Sequence, residues 1–573
     1  MPGSALKGVQ PTRLPSLRSG LAIWILAALF ELVAQSASAA MPLSYLSRHY
    51  ARDATACEGM RAVELDGASV NSVVFTPAGQ AILPGRDGKE APATQLPAFC
   101  RINLTMSPES GSAIGVEIWL PAAGWNGRFL GTGNGGGAGK LSLGNPMTQN
   151  LQRGFAVANT DLGTAPNALA AIGQPARWRD FGYRANHEMA RAARTFIKAF
   201  YGRPQRHSYF TGCSTGGQQA LVNVQRYPDD YDGVLVGAPA QDRTHIHMSF
   251  VWNWNALVET PGGKLSSAKL DLVHAAIMKA CGDGKDGGAP GDTYLTDPRG
   301  CRFDDVVVPR CDAGDKADCL TDVQRLALRR VYGGAVNPRS GERIYPPLAI
   351  GAEATPPGLE AQQRETWPLQ MFYPFYWALG RDRFQPASFD FDRDVDRVDD
   401  ALAGLLNANS TDLSAFRRRG GKILWYHGLS DPIIPFDTSI DYYERQVRAN
   451  GEDLAAVQAY MRLFLAPGMA HCTAGPGAWN IGQDVAPGTE RSPDRDAIWA
   501  LVQWVENKRV PTRLIGVRFQ DNDVRKPIVA QRPLCPYPEF PQYTGGDPAL
   551  ASSFRCQVWA RGNIHAVATR YLN

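Results

Sequence analysis

Short apolar strands alternating with helices predict an α/β protein built on a parallel sheet, and three features carry that prediction. Strand Ser208–Thr211, a helix over Gln218–Tyr227 and strand Val234–Ala238 form a βαβ succession, the pattern of parallel sheets. Gly212-Cys213-Ser214-Thr215-Gly216 lies between that first strand and helix, where flanking glycines allow a tight turn. The alternation stops after Pro239 and resumes at Lys422–Tyr426 and Arg462–Leu465, which marks residues 241–405 as an insertion. Upstream, 115–120, 128–131 and 154–159 read as further strands. Asn186–Tyr201 reads as a helix whose alanines, Met189, Phe196 and Ile197 supply one apolar face.

The chain opens with Arg13 and Arg18, an apolar run from Leu21 to Phe30 and a small-residue close at Ala37-Ser38-Ala39. Those three parts describe a secretory signal over residues 1–39, and Glu31 cuts the run too short for a comfortable membrane span. The expected mature protein is secreted or periplasmic, with no membrane association after cleavage. The full chain of 573 residues exceeds one ordinary core, in line with a core of 40–240 and 406–573 around an inserted lid of 241–405. A net charge of +4 with no long basic run argues against a nucleic-acid partner, and no obligate protein partner is evident.

Ten cysteines suit an oxidising compartment. Sequence proximity suggests the couples Cys57–Cys100, Cys281–Cys301, Cys311–Cys319 and Cys535–Cys556, which leaves Cys213 and Cys472 as the remaining pair. Spacing does not establish connectivity, and a small buried thiol at Cys213 is the alternative.

G-x-S-x-G raises a serine onto a strained strand-to-helix turn, and α/β-hydrolases follow it with Asp or Glu and then His. Ser214 is therefore the candidate nucleophile. Asp431 follows a strand in His427-Gly428-Leu429-Ser430-Asp431-Pro432 and is the candidate acid, with Asp437 in reserve; a turn-forming Asp before Pro is the plain alternative. His471 follows a strand and a glycine loop and is the candidate base, whereas His427 precedes Asp431 and is read as structural. Oxyanion donors are expected from the backbone of Thr215 and of Asn134–Gly135, in the run Gly131–Gly137. That run lacks the Lys-Ser/Thr of a phosphate-binding loop.

The elbow, Trp125-Asn126-Gly127-Arg128-Phe129-Leu130, Arg226-Tyr227-Pro228-Asp229-Asp230-Tyr231-Asp232-Gly233, His427–Asp431, Pro467-Gly468-Met469-Ala470-His471-Cys472 and Arg532–Pro538 together resemble the tannase/feruloyl esterase family over nearly all of the mature chain. The resemblance implies an α/β-hydrolase core with a large lid, a Ser214–His471–Asp431 triad and a Cys213–Cys472 bridge beside it. It further implies a carboxylic ester hydrolase acting on small esters of aromatic acids, of feruloyl, galloyl or chlorogenate type, with the acyl group against lid aromatics. The bacterial hydrolase of mono(2-hydroxyethyl) terephthalate belongs to the same family and supplies the alternative substrate class. A secreted polyphenol- or carbohydrate-binding protein is the non-enzymatic alternative. Family lids carry a structural Ca²⁺ in a C-D-x-x-D-G-x-x-D-G loop, and the equivalent ligands here are Asp283, Asp286 and Asp292 with the backbone of Gly288 and Tyr294. Asp292 stands two residues late in that pattern, so an acidic turn closed by Cys281–Cys301 is the alternative.

Overall fold

Strand residues point alternately to opposite sheet faces, and here each face meets its own apolar core. Ile118, Phe129, Phe210, Val234 and Ile423 face one core; Trp119, Leu130, Tyr209, Leu235 and Leu424 face the other. The computed structural model describes residues 52–81, 94–380, 383–483, 492–558 and 564–572. The expected signal segment, 1–39, lies outside the described residues.

Nine strands make the central sheet: β1 (Ala68–Thr76), β2 (Phe99–Met106), β3 (Ile114–Pro121), β4 (Arg128–Thr132), β5 (Ala156–Thr160), β6 (His207–Ser214), β7 (Gly233–Pro239), β8 (Lys422–Gly428) and β9 (Met461–Ala466). Their spatial order is β1-β2-β3-β5-β4-β6-β7-β8-β9. Strands from β5 to β9 pair in parallel, as expected. The sheet as a whole is mixed, because β1, β2 and β3 pair antiparallel and β3 meets β5 antiparallel. Helices α1 (Asn145–Gln152), α2 (Ala185–Tyr201) and α3 (Thr215–Arg226) cover the sheet, α1 on one face and α2 and α3 on the other. α2 ends where Gly202 turns left-handed at φ 71° and returns its N–H to the Lys198 carbonyl.

β7 and β8 are neighbours in the sheet, so residues 240–421 leave and re-enter it between adjacent strands. This segment includes α4 (Arg243–Trp254) and α5 (Asp394–Leu406). Its aromatic cluster is largely interior: Phe372, Tyr373 and Phe375 are fully buried, and Trp367 and Trp377 nearly so. These rings pack edge-on and stacked against one another and against Phe181, in the same core as α2 and α3. At these five positions the rings pack within the protein's own core. Beyond β9, α6 (Ala497–Asn507) packs on the α1 side. All five expected cysteine pairs are bonded.

Candidate active site

Three chain segments converge at the carboxyl edge of the parallel strands, and glycines allow the closest approaches. A Cβ on Gly212 would stand 2.5 Å from the Gly216 backbone, and one on Gly133 would stand 2.5 Å from the Gly216 Cα. The first turn of α3 therefore sits directly on the end of β6 and on the 133–137 loop. Ser214 is held at φ 64°, ψ −121°, a region that costs a non-glycine residue energy and that nucleophile elbows adopt.

Asp431 and His471 sit on loops stitched together by main chain. Ser430 N–H donates to the Met469 carbonyl at 3.0 Å, and Leu429 N–H to the Ala466 carbonyl at 2.9 Å. A Cβ on Gly428 would meet the Met469 carbonyl oxygen at 2.3 Å, so only glycine admits this contact. His471 Nδ1 donates to Asp431 Oδ2 at 2.8 Å, and Asp431 Oδ1 accepts the N–H groups of Ile433 (2.8 Å) and Ile434 (2.9 Å). Burial pushes the Asp431 carboxyl up, but His471 and His427 beside it outweigh burial and hold it well below the usual carboxylate range.

His427 is fully buried behind this pair, 3.4 Å from Asp431 Oδ2, and its structural reading agrees with its bonds. Its Nε2 donates to the Ile434 carbonyl at 2.9 Å and its Nδ1 accepts from Ser439 Oγ at 2.6 Å; that hydroxyl in turn accepts from Trp425 Nε1 at 3.1 Å. Asp437, the reserve acid, accepts instead from the His565 main-chain N–H at 2.8 Å. Cys213 and Cys472 bring the third partner in, because their bridge bonds the residue before Ser214 to the residue after His471. Hydrogen bonds of the described residues link Asp431 to His471 but not His471 to Ser214, a contact that commonly tightens only with substrate bound.

Around Ser214, the expected oxyanion donors divide. Thr215 opens α3, so its N–H has no partner within the helix. Asn134 is corrected: its N–H donates to Gln219 Oε1 at 3.2 Å and its carbonyl accepts from Gly216 N–H at 2.8 Å. Its side chain is tied to the Thr160 carbonyl at 2.7 Å, so Asn134 shapes the loop and Gly135, which is exposed, is the position left to donate. The loop is braced from the segment after β5, where Gly139 N–H reaches the Asp161 carbonyl at 3.0 Å and Thr164 Oγ1 the Gly137 carbonyl at 2.9 Å. Burial pushes the Asp161 carboxyl up to about 6, against the N–H groups of Gly163 and Gly115 that it accepts.

In the inserted segment, two of the three carboxylates expected to hold calcium are engaged by groups of the protein itself. Asp292 Oδ1 pairs with Arg532 Nη2 at 2.8 Å, and its Oδ2 accepts the Ala289 N–H at 2.9 Å. Asp286 accepts the N–H groups of Gly288 (3.1 Å) and Thr296. Asp283 is exposed, and the Tyr294 ring is buried under Gly468. Among the described residues no three His, Cys, Asp or Glu side chains come close enough together to hold a metal ion. One guanidinium and three N–H donors are thus directed at these carboxylates, where Ca²⁺ would take six to eight oxygens.

Arg243 is the residue that sequence reasoning missed. It reaches the Thr215 side chain from the first position of α4, and no local pattern signals that contact.

Residues 100–557 match the family described as Tannase and feruloyl esterase. An uncharacterised esterase of Xanthomonas campestris pv. campestris is 35% identical over 543 residues, covering 88% of this chain and 92% of its own. A protein named probable feruloyl esterase B-2, of Aspergillus flavus, is 30% identical over 478 residues, covering 80% of this chain and 88% of its own. The crystal structure of feruloyl esterase B from Aspergillus oryzae superposes with a TM-score of 0.78 at 28% identity, covering 88% of this chain and all of the other.

Proposed function

Because the chain belongs to the tannase and feruloyl esterase family, we propose that it is an exported serine esterase that hydrolyses esters of aromatic carboxylic acids through an acyl-enzyme. The observation that carries this reading is the His471–Asp431 hydrogen bond held beside Ser214 by the Cys213–Cys472 bridge. With Nδ1 committed to Asp431, His471 keeps Nε2 for the serine proton. Ser214 Oγ attacks the ester carbonyl as that proton moves to Nε2, and the carbonyl oxygen takes the electron pair. The Thr215 and Gly135 N–H groups donate to the resulting oxyanion. Collapse breaks the C–O bond to the alcohol, which leaves with the proton from His471. Water repeats the sequence on the acyl-enzyme and releases the acid and free Ser214.

Five disulfides support an oxidising compartment, and among the described residues no helix is long and apolar enough to cross a membrane. The test is hydrolysis of methyl ferulate, methyl gallate, chlorogenate and mono(2-hydroxyethyl) terephthalate by wild type and Ser214→Ala. Turnover of any member that vanishes in the variant supports the reading and names the acyl preference. A silent panel from protein still labelled by a serine-directed phosphonate keeps the nucleophile and removes the aromatic-ester assignment.

A further inference from the structure

Arg243 is 3% exposed, yet among the described residues it has no carboxylate partner. Its chain neighbour Asp242 is engaged by His245 Nδ1 at 2.7 Å. The guanidinium instead bonds neutral groups around the expected oxyanion hole. Nη1 donates to Thr215 Oγ1 at 2.8 Å and to Gln218 Oε1 at 3.3 Å, Nη2 to the Gly136 carbonyl at 2.8 Å, and Nε to the Tyr373 hydroxyl at 3.0 Å. Thr215 Oγ1 donates to the same Gly136 carbonyl at 2.7 Å, which closes a ring of three hydrogen bonds. The Phe181 and Tyr373 rings lie 5.3 and 5.8 Å from the guanidinium carbon.

A buried cation without a counter-ion is costly unless the site needs its charge. Here the ring joins the residue after the nucleophile to the residue after Gly135, the two sides from which N–H donors approach an oxyanion. We propose that Arg243 is a positioning residue of the oxyanion hole: it clamps Thr215 and the 135–136 loop in one geometry, and its uncompensated charge favours the negative charge that develops on the substrate oxygen. The proposal rests on the serine-esterase reading. Arg243 bonds Thr215 and Gly136 through two nitrogens of a rigid planar fork, and lysine keeps the charge but not that fork.

The experiment compares wild type, Ser214→Ala, Arg243→Lys, Arg243→Met and Thr215→Val on the panel ester that wild type turns over, with rates per active site titrated by a fluorescent phosphonate. Arg243→Met is expected to lower kcat about 100-fold, the scale of a lost oxyanion donor, with KM within about threefold. Arg243→Lys should recover part of that loss. Thr215→Val, which opens the ring but keeps both the charge and the N–H, should fall about tenfold in kcat. Equal losses in the Lys and Met variants, a loss confined to KM, or a titrated kcat in Arg243→Met within threefold of wild type overturns the proposal. If the Arg243 variants do not fold, an unchanged kcat in Thr215→Val overturns it. No Ser214-dependent turnover in wild type sinks the esterase reading instead, which keeps the two failures distinct.

Discussion

Cys213 and Cys472 stand 259 residues apart in sequence and 5.8 Å apart at Cα, and each adjoins a residue of the candidate triad. The bridge therefore ties the end of β6 to the loop after β9, two segments that approach the site from separate strands. Loop-closure entropy for so long a loop gives about 5 kcal/mol, an upper figure because surrounding contacts already restrain both ends. Cys213→Ala/Cys472→Ala is expected to melt well below wild type and to lose kcat even at temperatures where it is folded. Circular dichroism beside turnover checks this; a folded variant with wild-type kcat would mean the bridge does not set the Ser214–His471 geometry.

Asp431→Asn keeps the shape of the side chain but not its acceptor for His471 Nδ1–H. If the amide nitrogen faces the ring, the imidazole changes tautomer and Nε2 no longer accepts the serine proton. A kcat lower by roughly 10³–10⁴ with little change in KM is expected. The carboxyl of Asp431 is held below its unfolded value, so its contribution to stability is complete above about pH 4 and falls away as pH drops toward the folded pKa. Melting curves from pH 6 downward should show a steeper acid loss in wild type than in the variant. Parallel curves would place the charge interaction elsewhere.

Asp161 has the opposite sign. Its carboxyl is raised from 3.8 to about 6, so the folded protein binds more protons than the unfolded chain between those values. Stability therefore falls as pH rises through this window and levels off above it, by about 3 kcal/mol at most. Asparagine retains an oxygen for the Gly115 and Gly163 N–H groups that Asp161 Oδ1 accepts, at 2.9 and 2.7 Å. Asp161→Asn should flatten the fall between pH 4 and 6 and be the more stable protein at neutrality. A variant whose melting temperature follows wild type across that range refutes the assignment.

The parts of this molecule legible in sequence are those specified by neighbouring residues. The elbow, the Asp431 loop and the His471-Cys472 dipeptide follow strand ends, and the βαβ alternation around them predicts the parallel half of the sheet. β1 escaped because it carries exposed and half-buried residues over most of its length, which leaves little apolar signal. Asn134 was misread because a glycine-rich run does not reveal that Gln219, on the facing helix, takes its N–H.

Asp292 and Arg532 form an ion pair that joins the inserted segment to the C-terminal part of the chain. Their carboxylate and guanidinium oppose each other at 2.8 Å with side chains only 12% and 7% exposed. The Arg532 guanidinium also lies 4.3 Å from the Phe554 ring centroid and donates to the Pro548 carbonyl. Removing the guanidinium leaves Asp292 without its positive partner, and breaking a buried pair from one side costs about 3–5 kcal/mol. Arg532→Met is therefore expected to lower the melting temperature sharply, while EDTA leaves wild type unchanged. Added Ca²⁺ should raise the melting point of the variant more than that of wild type, since only there is Asp292 without its cation. A wild-type melting point that drops in EDTA and returns with Ca²⁺ would show that the loop rearranges to take the ion, with Arg532 withdrawn from Asp292.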